Sequence, residues 1–124
     1  SEFSYSRNSH ELKGVIGSTN FKLNRQNIAI SAPEAISQSS KKVEVEGSNQ
    51  VAIKGGTSVD ITTPTLNLNI GATTMTLNDS SATISSESVN FAGNLSINGN
   101  CSVQGNFSVT GNIDAGGTVH GTNI

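Results

Sequence analysis

From Val43 onward, apolar side chains come in small groups separated by single polar residues. The groups are Val43/Val45, Val51/Ile53, Val59/Ile61, Leu66/Leu68/Ile70, Met75/Leu77, Ile84, Val89/Phe91, Leu95/Ile97, Cys101/Val103, Phe107/Val109 and Ile113/Ala115. A period of two is strand geometry, one side chain to each face in turn. No stretch there shows the i, i+3, i+4 spacing of an amphipathic helix. Gly-Asn recurs at 93–94, 99–100, 105–106 and 111–112, every six residues. Both residues tolerate positive φ, so the pattern predicts very short strands joined by sharp corners over 93–117. Upstream the same grammar is looser, its spacing drifting to eight or more, with Gly47, Gly55, Gly56 and Gly71 marking corners. The first 40 residues differ. They hold most of the long charged side chains together with Phe3, Tyr5 and Phe21, and they alternate at Phe21-Lys22-Leu23 and Ile28-Ala29-Ile30, with Ser31-Ala32-Pro33-Glu34 as a boundary.

Composition sharpens the picture. The chain has 124 residues, of which 19 Ser, 12 Thr, 15 Asn and 13 Gly make nearly half, and only 33% are hydrophobic. Ordinary globular domains run at roughly 45–50% apolar. A monomer with a thick core is therefore not expected. Yet only 13% of residues are charged, for a formal net of −2, and disordered chains with so little apolar content usually carry much more charge. All seven cations lie at or before Lys54, and beyond it stand only Asp60, Asp79, Glu87 and Asp114, so the C-terminal half cannot build a basic stripe for a nucleic acid. Cys101 is the single cysteine, which excludes an intrachain disulfide, and the apolar runs are too short for a membrane-spanning helix. Ser1-Glu2-Phe3 reads as a cloning remnant and is set aside, with a domain expected ahead of it.

A short strand with two inward side chains is unstable alone, so a core must be built by stacking. Two architectures fit: a single-chain parallel β-helix of the hexapeptide kind, and an intertwined trimer in which each chain supplies one strand per level of a triangular prism. The trimer is favoured. The regular hexads fall short of two full coils of three, Phe107 stands four residues after Val103 where the single-chain coil wants a small side chain, and three mutually buried chains relieve the apolar deficit. The expectation is an all-β, intertwined trimeric triangular β-helix tapering to a C-terminal tip. One turn would climb about 14 Å, and eleven strands about 50 Å. Residues 1–35 are read as strands and linker, 36–115 as the shaft and 116–124 as the tip.

The run from Val43 to Gly117, closing on Thr110-Gly111-Asn112-Ile113-Asp114-Ala115-Gly116-Gly117 with a His near the terminus, resembles the C-terminal β-helical spike of the central spike proteins of contractile-tailed phages. Those are similar to the VgrG spikes of type VI secretion. The resemblance implies a homotrimer in the virion, at the tip of the tail baseplate, held to the hub through an oligosaccharide/oligonucleotide-binding-fold domain ahead of residue 1. It implies a mechanical function, piercing of the host outer membrane, with no nucleic-acid partner. In that family the apex can carry a His-x-His pair, three copies of which supply six nitrogens to iron. The matching tip is Val119-His120-Gly121-Thr122, and the second His is missing. Three copies of His120 on the axis could still hold Fe, Zn or Ni; the other reading is a frayed end or a polar plug.

The remaining chemistry-bearing residues read as structural. His10 lies in the charged N-terminal stretch as a surface or linker residue. Cys101 occupies the repeat slot of Leu95 and Phe107 and reads as a small buried hydrophobe. The Asn-x-Ser sequons at Asn78, Asn94, Asn100 and Asn106 follow from corner chemistry. The acids form no pair, Lys41, Lys42, Glu44 and Glu46 decorate the first strands, and Gly55-Gly56 and Gly116-Gly117 lack the flanking residues of a phosphate loop. No catalytic site is expected. Two rival functions remain: the shaft of a trimeric tail fibre or adhesin that binds a surface receptor, and a hexapeptide-repeat acyltransferase with His120 as base.

Overall fold

The computed structural model describes residues 1–124. It is all-β, with seven strands in two antiparallel sheets and no helix. The chain divides into two units, Ser1–Val59 and Asp60–Ile124.

In the first unit, β1 (Glu2–Ser6), β2 (Glu11–Ile16), β3 (Thr19–Leu23) and β4 (Ile28–Ser31) form a meander in chain order. The Phe21–Leu23 and Ile28–Ile30 alternation thus becomes β3 and β4. Residues directly opposite share a face, so the register fixes two cross-strand rows on one side: Phe3, Gly14, Phe21, Ile30, and Tyr5, Leu12, Leu23, Ile28. Every side chain in these rows is apolar or aromatic. The opposite side carries Glu11, Lys13 and Lys22. Lys13 faces Lys22 directly, a repulsive pairing that Glu11 offsets from the diagonal position with a 3.2 Å ion pair to Lys22. Glu2 and Phe3, set aside above as a remnant, lie within β1, and the Phe3 ring stands over Gly14, where a Cβ would meet it at 3.7 Å.

In the second unit, β5 (Thr65–Ile70), β6 (Thr73–Asn78) and β7 (Ala82–Ser85) form a second meander. The alternation read over 65–85 is thus present as strands, and they pair with one another within the chain. Gly71 is not a corner between strands of one winding but a reversal, with φ +56°. Alternation alone does not distinguish a strand that turns a corner from one that doubles back. The decision lies in the two-residue loop Gly71-Ala72, whose positive φ at the first position only suits a tight hairpin. The register again segregates the faces. Leu66, Leu68, Ile70, Met75, Leu77 and Ile84 share one side, and Thr65, Asn67, Asn69, Thr74, Thr76, Thr83 and Ser85 the other.

The stretches after each meander are extended but belong to no ladder. Outside the sheets, backbone–backbone hydrogen bonds close two turns, Asn24 N to Asn27 O and Asn78 N to Ser81 O, and no strand pairing is present over 93–117. The expected short strands over 93–117 are therefore not paired within the chain. Their corners are nonetheless present and periodic. Bends fall at 98–99, 104–105, 110–111 and 116–117, every six residues. Gly93, Gly99 and Gly105 adopt φ between +124° and +139°, a conformation strained for any residue with a side chain, whereas Gly111 does not. Upstream the bends fall at 48–49 and 56–57, and the apolar pairs Val43/Val45, Val51/Ile53 and Val59/Ile61 repeat every eight. Gly47 and Gly55 hold equivalent places in that octad: a Cβ on either would run into the carbonyl oxygen three residues on, of Gln50 and Ser58. What read as drifting spacing is thus an octad before β5 and a hexad after β7.

No residue of the chain is buried. The accessible surface is 12263 Å², about twice the ~6,300 Å² that the size scaling gives for a folded monomer of this mass.

Candidate functional site

Between β3 and β4 the Asn24 side chain accepts hydrogen bonds from the amides of Gln26 (2.9 Å) and Asn27 (3.0 Å). Between β6 and β7 Asn78 does the same for Ser80 (3.1 Å) and Ser81 (2.9 Å), and also receives both serine hydroxyls. These are Asx turns, in which a side chain supplies the acceptor that the reversing backbone lacks. Asn78 is one of the sequon positions, and its side chain makes the turn.

The two turns are equivalent, and so is everything between them. Residues 11–31 and 65–85 align without a gap at an offset of 54, placing Gly17 on Gly71 and Asn24 on Asn78. Eight of the 21 positions are identical (Leu12, Ile16, Gly17, Thr19, Leu23, Asn24, Ile30 and Ser31), and they include one key residue of each turn, Gly17 and Asn24, and four positions of the apolar face, Leu12, Ile16, Leu23 and Ile30. The strands coincide, β2 with β5, β3 with β6 and β4 with β7. The chain therefore carries one hairpin-and-Asx-turn module twice, each copy followed by an extended repeat. The first copy has one addition. Where Leu68 fills the face of the second, the first has Gly14, and β1 brings Phe3 across the gap. Around Gly14 a notch of about 410 Å³ remains, lined by Phe3, Ile16, Phe21 and Ile30 among others.

Each residue singled out in the sequence has a definite place. His10 is exposed in the turn between β1 and β2, at φ 51°. Cys101, expected to be buried, is exposed in the single chain, as are its repeat equivalents Leu95 and Phe107. Asp60, Asp79, Glu87 and Asp114 are exposed, Asp79 within the Asn78 turn. Lys42 pairs with Glu44 at 2.6 Å, both side chains largely exposed, a contact of little energetic weight. At the tip, Val119, His120, Gly121 and Thr122 are all exposed, and the chain turns at 122–123. Within one chain no three His, Cys, Asp or Glu side chains gather to hold a metal ion. A tip metal of the kind the resemblance implies would need one His120 imidazole from each of three chains.

The duplication escaped the sequence reading because the two copies differ at most of their polar and several of their apolar positions. The usable signal was Gly followed by Asn seven residues later, flanked on both sides by alternating apolar residues. Compared with family models, curated proteins and solved structures, the chain matches none.

Proposed function

We propose that the chain is the shaft and tip of a trimeric spike that pierces the host outer membrane at the baseplate of a contractile phage tail, a structural protein rather than an enzyme. One observation carries the oligomeric part of this reading: a chain with regular apolar faces and periodic corners has no buried residue of its own. Apolar surface in such quantity is stable in water only when covered, and self-association covers every segment by the same rule. The resemblance over 43–117 carries the rest. In the assembled rod, strands pair between chains, so bending at any level breaks bonds shared by three subunits. The outer surface would then be the polar side of the strands, the Thr and Asn rows typified by Thr65, Asn67, Thr74 and Thr76. Such a surface is well hydrated and does not adhere to lipid, which suits a part driven through a membrane by sheath contraction. His120 is the residue that could hold an iron ion on the axis.

The test is solution mass by light scattering, followed by iron analysis of the same sample. A mass of three 12.8 kDa chains with about one iron per trimer is expected. A monomer overturns the reading. Saturable binding of the trimer to a surface glycan of the host would move it to the adhesin class.

A further inference from the structure

Repeats that build a shaft also create an ambiguity. In the hexad region Leu95/Ile97, Cys101/Val103, Phe107/Val109 and Ile113/Ala115 occupy the same slot in successive copies. A chain that slips by a whole number of repeats against its neighbours still sets apolar on apolar and corner on corner. The octads at Val43, Val51 and Val59 have the same property. Register is strongly specified only where the pairing pattern is unique. The two meanders interrupt that short-period repetition: each is a sheet closed by its own turns, the copies stand 54 residues apart, and only the first has β1 and three of the five aromatic residues of the chain, Phe3, Tyr5 and Phe21.

Both meanders present an apolar face with nothing over it. On the first, Phe3 is 79% exposed, Ile16 72%, Ile28 67% and Tyr5 63%. Together with Leu23 and Ile30 they put on the order of 600 Å² of apolar surface on one side, taking ~150–250 Å² for each ring. That approaches the ~800 Å² that each partner contributes to a standard interface. The face carries no charge, since Glu11, Lys13 and Lys22 all lie on the reverse side, so an acidic or basic partner finds no complement there. The second meander repeats the arrangement with Leu66, Leu68, Ile70, Met75 and Leu77. A face duplicated within the chain, and present three times over in the assembly, has other copies of itself as its natural cover.

We propose that the apolar faces of the two meanders are where copies of this chain meet, and that these contacts set the register which the repeats leave open. The inference rests on the trimeric reading. Phe21 and Met75 occupy equivalent positions at the centres of the two faces, and the notch beside Gly14 receives an apolar side chain of a neighbouring copy.

The experiment uses the full chain with a nitroxide on Ser102→Cys in a Cys101→Ser background, and reads mass by light scattering and label-to-label distances by pulsed dipolar spectroscopy. The parent protein is expected to give three chains and one narrow distance peak. Phe21→Ser and Met75→Ser are each expected to add further peaks, with at least a tenfold fall in the yield of correctly registered trimer on refolding. Asn20→Ser and Thr76→Ser, adjacent but on the reverse faces, are expected to behave as the parent. Should Phe21→Ser fail to assemble while Asn20→Ser assembles normally, the face is again the contact, because the two substitutions share a strand and differ only in side. Narrow single peaks and parental yields in both face variants would overturn the inference and leave the trimer standing, and equal failure of face and reverse-face variants would also overturn it. A monomeric parent would overturn the trimer itself.

Discussion

Gly99 and Gly111 stand at equivalent places in the hexad and differ in φ. Gly99 sits at φ +139°, Gly111 outside the left-handed region. Within its own chain a Cβ at Gly99 meets no neighbour, so the cost of Gly99→Ala that the chain itself imposes is conformational rather than steric crowding by packed atoms. Holding alanine in that region costs about 1–3 kcal/mol, in every chain of an assembly. Gly99→Ala is expected to lower the thermal midpoint by several degrees, and Gly111→Ala to leave it near the parent value, as scanning calorimetry would read. Asn78 offers a second residue-scale test. Its Oδ1 accepts from the Ser80 and Ser81 amides, and losing them costs about 1 kcal/mol for a typical intramolecular bond. Asn78→Ala should therefore speed amide exchange through β6 and β7, while Asn78→Asp, which keeps the acceptor, should restore protection. Asn24→Ala should do the same to β3 and β4.

At the scale of elements, legibility followed the kind of information each segment carries. The strand alternation and the hexad corners are local, set by two or three residues, and were legible at once. The path between strands is not local. Thr65–Ile70 and Leu95–Ile97 alternate alike, but Gly71-Ala72 closes the first into a hairpin whereas Gly-Asn passes the second onward. One glycine at φ +56° and another at +139° look the same in a sequence. The Asx turn at Asn78 read only as corner chemistry for the same reason, since its meaning depends on the amides two and three residues on. The octad was hidden by its polar positions, whereas the structure exposes it through Gly47 and Gly55, each closed in by a carbonyl oxygen. Gly55→Ala cannot keep that bend, because backbone and not a flexible side chain occupies the space. It should disrupt the octad region locally while the exchange protection of both meanders stays as in the parent, a contrast that hydrogen exchange resolves segment by segment.

For the whole molecule the decisive quantity is surface without cover. The chain exposes some 6,000 Å² more than the size scaling allows a folded monomer, several times what a standard interface removes from each partner. Exposed large hydrophobic side chains occur in the repeats as well as the meanders, so on the trimeric proposal the contacts between chains extend to the repeats, and parity within a single repeat tests whether they do. In the strand geometry that the alternation predicts, Phe107 and Val109 share one side and Ser108 takes the other. If the Val109 side faces the axis, Val109→Asp places three carboxylates together out of water, at a cost of several kcal/mol per ion with no partner to offset it. Val109→Asp, and Ile97→Asp by the same reasoning, should then fail to form a stable trimer, with the scattering mass falling toward 12.8 kDa. Ser108→Asp carries the same charge one residue away on the outer surface, where water screens it, and should assemble and melt as the parent does. Equal heat resistance of Val109→Asp and Ser108→Asp trimers would show that the inward assignment is wrong and that the alternation of the shaft serves something other than a shared core.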